Sequence, residues 1–193
     1  WMYYNSPDNK LMDIQLAQSD NSKEWHRAAN RKVFMPVGSE GEWDAGGVVV
    51  ASQMLISTPA FPEELLIYYG GVTTRHDDSR ALHRENSIGL AKLRIDGFAS
   101  LDAKLFPGFV ETKAIKFSKN QMYINAALNH GYLYVELINP ITNKVIARSK
   151  TYNNINSTKI KVEWLSQPAG GYDNELIYKF YMKKASLYSF WFE

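Results

Sequence analysis

The 193-residue sequence contains no cysteine, which excludes a disulfide scaffold, a cysteine-ligated zinc and a cysteine nucleophile. No apolar run approaches the roughly 18 residues that span a bilayer, so no membrane partner is expected. Charge of one sign is not in surplus either. The 22 Lys and Arg face 20 Asp and Glu, a net charge of +2 that is too mild to recruit nucleic acid by field alone. A Gly-x-Ser-x-Gly elbow, a phosphate-cradling glycine loop and a His-Glu-x-x-His pair are all missing, and no cofactor is expected. The chain also lacks a starting Met and a signal peptide. It opens at Trp1 in what reads as a strand, so the expectation is the tail of something longer.

Aromatic residues are plentiful: 12 Tyr, 9 Phe and 5 Trp. They suit strands, where flat side chains pack on a pleated face, and they also suit proteins that stack sugars. Nearly every apolar segment alternates with period two or forms a short β-branched run. The clearest predicted strands are 13–19, 47–55, 65–71, 87–94, 121–127, 131–138, 159–164, 175–183 and 186–192. Ile160, Val162 and Trp164 share one face while Lys159, Lys161 and Glu163 share the other. Leu176, Tyr178, Phe180 and Met182 repeat the pattern. Turn-forming clusters such as Ser6-Pro7-Asp8-Asn9 and Asn139-Pro140 separate the segments. No helix longer than two turns is predicted. The fold class is all-β.

Composition shifts near Gly97, and a domain boundary is placed at residue 98. Residues 1–98 carry glycine-rich turns and uneven loops, including the polar stretch 73–85. Residues 99–193 read as regular strands with short turns, as in a closed β-sandwich. One internal repeat is visible. Ile14-Gln15-Leu16-Ala17 matches Ile88-Gly89-Leu90-Ala91, and each copy is followed by an acidic turn and an aromatic, Trp25 or Phe98. A recurring strand–turn–aromatic unit is a sign of propeller blades.

The string I-x-L-A-x-S-D-x-x-x-x-W from Ile14 to Trp25 resembles blades of five-bladed β-propeller glycoside hydrolases. The same holds for Val33-Phe34-Met35-Pro36 with Gly41-Glu42-Trp43-Asp44-Ala45-Gly46-Gly47-Val48. Leu66-Ile67-Tyr68-Tyr69-Gly70-Gly71 with His76, and Ile88-Gly89-Leu90-Ala91 with Asp96-Gly97-Phe98, continue the series. Together they are similar to the last part of the group related to β-fructosidases and arabinan- or xylan-cleaving enzymes. That resemblance implies the last blades of a propeller in 1–98 and a C-terminal β-sandwich in 99–193. It also implies an oligo- or polysaccharide partner and an extracellular or periplasmic setting. Strands for about two blades are present, and the Asn-Asp-Pro and Arg-Asp-Pro motifs are not. The missing N-terminal blades, or self-association through exposed edges, would complete the structure.

By the same resemblance Asp44 or Glu42 would point into a central channel from the start of strand 47–55. There it would supply one of the two carboxyl groups that glycoside cleavage needs, with its partner upstream. Asp44 could equally cap a turn through backbone amides. Trp43 could stack on a sugar ring, whereas Trp25 reads as core. Arg75 and His76 lie on a polar loop with Asp77 and Asp78. There His76 could orient a carboxylate or bind a sugar hydroxyl, or the loop could simply be solvated. Without a second His at ligand spacing, no metal is expected. His83 and His130 have no partner pattern, and the lysines at 159, 161, 183 and 184 read as exposed strand edges.

The expected function is therefore hydrolysis of glycosidic bonds by paired carboxylates. The alternative is a non-catalytic carbohydrate-binding or structural module, with Tyr132, Tyr134 or Trp164 of the sandwich facing the sugar.

Overall fold

A chain with period-two alternation and no helix-length periodicity satisfies its backbone through pairing between strands. The computed structural model describes residues 2–5, 10–50, 57–75, 85–116, 121–166 and 175–193, and it is all-β with curled sheets. Among the described residues there is no α-helix, and a single 3-10 turn spans Ala29–Arg31. The chain divides into two units, Trp1–Phe98 and Ala99–Glu193.

In the first unit the strands are β1 (Met2–Asn5), β2 (Met12–Gln15), β3 (Ala17–Gln18), β4 (His26–Arg27), β5 (Val33–Met35), β6 (Gly47–Val50), β7 (Glu64–Val72) and β8 (Asn86–Arg94). Strands β6, β7 and β8 form an antiparallel meander, and β1 and β5 flank β2. One parallel pairing, Met12 with Gly47, joins the two sets into a six-stranded sheet. Met12, Ile14, Val48, Leu66 and Ile67 are its buried apolar side chains.

One sequence expectation is corrected here. Trp25 is 57% exposed rather than core. The Asn21 side chain accepts the backbone N–H groups of Lys23 and Glu24, turning the segment outward, and β3 and β4 pair over two residues each. The two copies of the Ile-x-Leu-Ala repeat also differ in environment. Ile14 is buried in β2, whereas Ile88 is 78% exposed on β8.

The second unit contains β9 (Leu101–Ala103), β10 (Gly108–Glu111), β11 (Ile115–Lys116), β12 (Met122–Ile138), β13 (Val145–Arg148), β14 (Tyr152–Asn153), β15 (Asn156–Lys161) and β16 (Glu175–Phe192). Strands β12 and β16 pair with each other from Met122–Phe192 to Ile138–Ile177. Strands β9, β10 and β11 line the other edge of β16, while β13, β14 and β15 line the other edge of β12.

Each long strand was expected as two. Asn129-His130-Gly131 and Lys183-Lys184 do interrupt the ladder, since the register shifts between Leu128 and Tyr132. His130 and Lys184 take positive φ of 57° and 45°, but the strands continue through them. This is bulge behaviour, which bends and twists a sheet without ending it. Side chains from both sides of the crease share one core. Ile124 and Leu187 lie before it and Leu133, Val135, Tyr178 and Phe180 beyond it, the aliphatic and Phe side chains each worth about 1.5–3 kcal/mol of burial. Leu176 and Met182 are buried and Lys159, Lys161 and Glu163 exposed, as the alternation predicts.

At the crease the backbones touch: a Cβ on Gly131 would lie 1.8 Å from the Lys183 carbonyl oxygen. Gly131→Ala is expected to cost about 1–3 kcal/mol through forced backbone movement. Urea unfolding reads this directly, and an unchanged midpoint would show that the crease tolerates separation.

Candidate functional site

Between β5 and β6 the chain makes a compact turn that carries three of the sequence-predicted residues. Glu42 N–H donates to the Ser39 carbonyl at 3.0 Å, Ala45 N–H to that of Glu42 at 3.2 Å, and Gly38 N–H to that of Asp44 at 3.3 Å. Gly46 N–H then fastens the turn to the end of β7 through the Val72 carbonyl at 2.8 Å. The turn thus delivers Glu42, Trp43 and Asp44 onto one face of the β6–β7–β8 meander.

The two carboxylates differ. Asp44 is 9% exposed, and its Oδ2 accepts the Tyr69 hydroxyl at 3.0 Å. Glu42 is exposed, and its Oε2 accepts the Ser39 backbone N–H at 2.6 Å. Glu42 thus takes up a backbone amide of the turn, the kind of bond also weighed for Asp44. Both converge on Gly38, where a Cβ would lie 2.1 Å from Asp44 Oδ1 and 2.7 Å from Glu42 Oε2.

Trp43 is half-buried and stacks on Tyr69, with ring centroids 5.5 Å apart and planes inclined by 26°. The two rings need the glycines beneath them. A Cβ on Gly71 would meet Trp43 Cζ3 at 2.3 Å and Asp44 Cβ at 2.5 Å, and one on Gly89 would meet Tyr69 Cε1 at 2.5 Å. Burial, chiefly, raises the Tyr69 hydroxyl above the ordinary tyrosine value of 10. The bond to Asp44 and then the charges of Asp44 and Glu42 push it further the same way. At neutral pH the phenol is a proton-bearing donor to the carboxylate.

Arg75 is exposed just beyond β7. His76, with Asp77, Asp78 and His83, lies outside the described residues. Local pattern does not single out Tyr69, which stands within the string Tyr68-Tyr69-Gly70-Gly71. The signal was the period of two, which puts Tyr69 and Gly71 on one face, opposite a second glycine at Gly89 on β8.

In the second unit the residues proposed for sugar contact belong to a cross-strand ladder on the solvent face. Tyr134 stacks on Tyr181 at 4.8 Å, Phe109 lies 5.9 Å from Tyr181, and Tyr132 lies 6.2 Å from Tyr134. The Arg148 guanidinium sits 3.9 Å over Tyr134, and Lys179 Nζ sits 3.8 Å over Phe109. Trp164 bridges to Ser149 instead. A separate cavity of about 450 Å³ opens between Leu101, Val110, Phe180, Leu187 and Phe190.

No protein-family model matches the chain, and neither curated proteins nor solved structures give a significant match.

Because a Cβ at position 89 invades the Tyr69 ring, Gly89→Ala is expected to destabilise the first unit by about 1–3 kcal/mol. The ring contact between Trp43 and Tyr69 should loosen with it. Indole NMR resonances of Trp43 and thermal unfolding check this, and a variant with both unchanged would show that the rings do not rest on the glycine.

Proposed function

We propose that this chain is part of a propeller-type glycoside hydrolase, in which residues 1–98 supply blades and a sugar-handling carboxylate and residues 99–193 form a β-sandwich. The observation that carries the reading is the Asp44 site: a buried carboxylate, held by a tyrosine hydroxyl, beside a tryptophan ring. Such a group suits work on a glycosidic bond, where one carboxyl protonates the leaving oxygen and another acts across the anomeric carbon. Glu42 converges with Asp44 on the same point, so it adds negative field on Asp44's side of the sugar. The opposing carboxyl then comes from another blade.

The strand pattern supports the architecture. The antiparallel set β6–β7–β8 is the kind of meander from which propeller blades are built. On the face opposite Asp44, the side chains of Val49, Tyr68, Ile88 and Leu90 are exposed across β6, β7 and β8. An adjoining blade, from the same polypeptide or a second copy, would cover this apolar face. In the second unit, one bent sheet encloses a shared core, as a sandwich does.

A second reading, glycan binding without cleavage, draws on the ladder of Phe109, Tyr181, Tyr134 and Tyr132. Those rings and their cations already engage one another, which leaves fewer ring faces for a sugar.

In the polypeptide that carries these residues, Asp44→Asn is expected to lower hydrolysis of aryl xylosides or arabinofuranosides by about 10²-fold or more. The melting temperature should stay close to wild type, since asparagine still accepts the tyrosine hydroxyl. Turnover within a few-fold of wild type would remove Asp44 from the site. Oligosaccharide affinity lost in Tyr134→Ala but kept in Asp44→Asn would favour the second reading.

A further inference from the structure

We infer that Tyr69 is the positioning residue of the Asp44 site, fixing the carboxylate with its hydroxyl and the Trp43 wall with its ring. The inference rests on the reading of this site as a sugar-handling one. Tyr69 is well placed for the task. It stands on β7, which is paired on both edges, opposite Val50 on one side and Gly89 on the other. Because position 89 carries no side chain, the ring lies over β8, and Trp43 stacks against it at 5.5 Å. With the ring confined, the direction of the hydroxyl is set, and it meets Asp44 Oδ2 at 3.0 Å.

Asp44, by contrast, belongs to a turn, where side chains are held less firmly than on a strand. The tyrosine transfers the rigidity of the sheet to that carboxylate. It keeps its own proton, since burial and the neighbouring Asp44 and Glu42 charges all disfavour the phenolate. Tyr69 therefore orients Asp44 without exchanging a proton with it. One side chain sets both the charge and the wall of the site.

The test uses the full chain with Tyr69→Phe and Asp44→Asn, xylotriose and arabinotriose as calorimetric probes, and isotope-labelled tyrosine to follow Tyr69 by NMR. In Asp44→Asn, Tyr69 should ionise at lower pH than in wild type, because a charged acceptor has gone. Tyr69→Phe should keep the fold and weaken probe binding about tenfold, since the probe must then order an unanchored Asp44. An unchanged Tyr69 titration in Asp44→Asn would overturn the inference, because a merely packed tyrosine behaves that way. Binding weakened by Asp44→Asn but not by Tyr69→Phe would also overturn it while leaving the sugar site standing. If neither variant alters binding, or wild type binds neither probe, the sugar-handling reading fails and the inference falls with it.

Discussion

The register between paired strands is the constraint on which the rest of this structure depends. Side chains alternate across a strand, so a shift of one residue would send each to the opposite face. On β7 that alternation separates two surfaces. Tyr69 and Gly71 face the Asp44 turn, while Tyr68 and Gly70 face the exposed side with Ile88 and Leu90. The pairing of Tyr69 with Gly89 gives the tyrosine ring its space, and the ring in turn meets Trp43 and Asp44. In the second unit the same rule sorts β12 and β16 into a buried row and a solvent-facing row of Tyr132, Tyr134, Lys179 and Tyr181.

The chemistry of the first unit follows from a difference in burial between neighbouring acids. Glu42 and Asp44 are two residues apart, yet the turn leaves one exposed and folds the other against the sheet. A buried carboxyl group needs a hydrogen-bond partner, and the Tyr69 hydroxyl supplies one to Asp44 at 3.0 Å. In the second unit Glu111 pairs with Lys179 at 3.4 Å, and Glu136 lies opposite Arg148 in the ladder.

Much of the β character was legible in the sequence. The face shared by Ile160 and Val162, and that shared by Leu176, Tyr178, Phe180 and Met182, are buried as their spacing predicts. Local pattern was a poorer guide where geometry is decided at long range. Asn129-His130-Gly131 has the composition of a turn, but pairing with β16 carries the strand through it as a bulge. Trp25 reads as core from its place in the repeat, but it is exposed just beyond the side-chain turn at Asn21. At the site, Glu42, Trp43 and Asp44 could be picked out because they are contiguous and precede a strand. Tyr69 could not, because it lies 25 residues from its partner and reaches it through the register of β6 and β7.

The most direct test of the account is to map where a sugar touches the polypeptide that carries these residues, by following amide chemical shifts during titration with xylotriose and arabinotriose. The account predicts that the largest changes gather at Glu42, Trp43 and Asp44 and at Tyr69, Gly71 and Gly89 beneath them. Changes confined to Tyr132, Tyr134 and Tyr181 in the second unit would contradict it, as would no change anywhere.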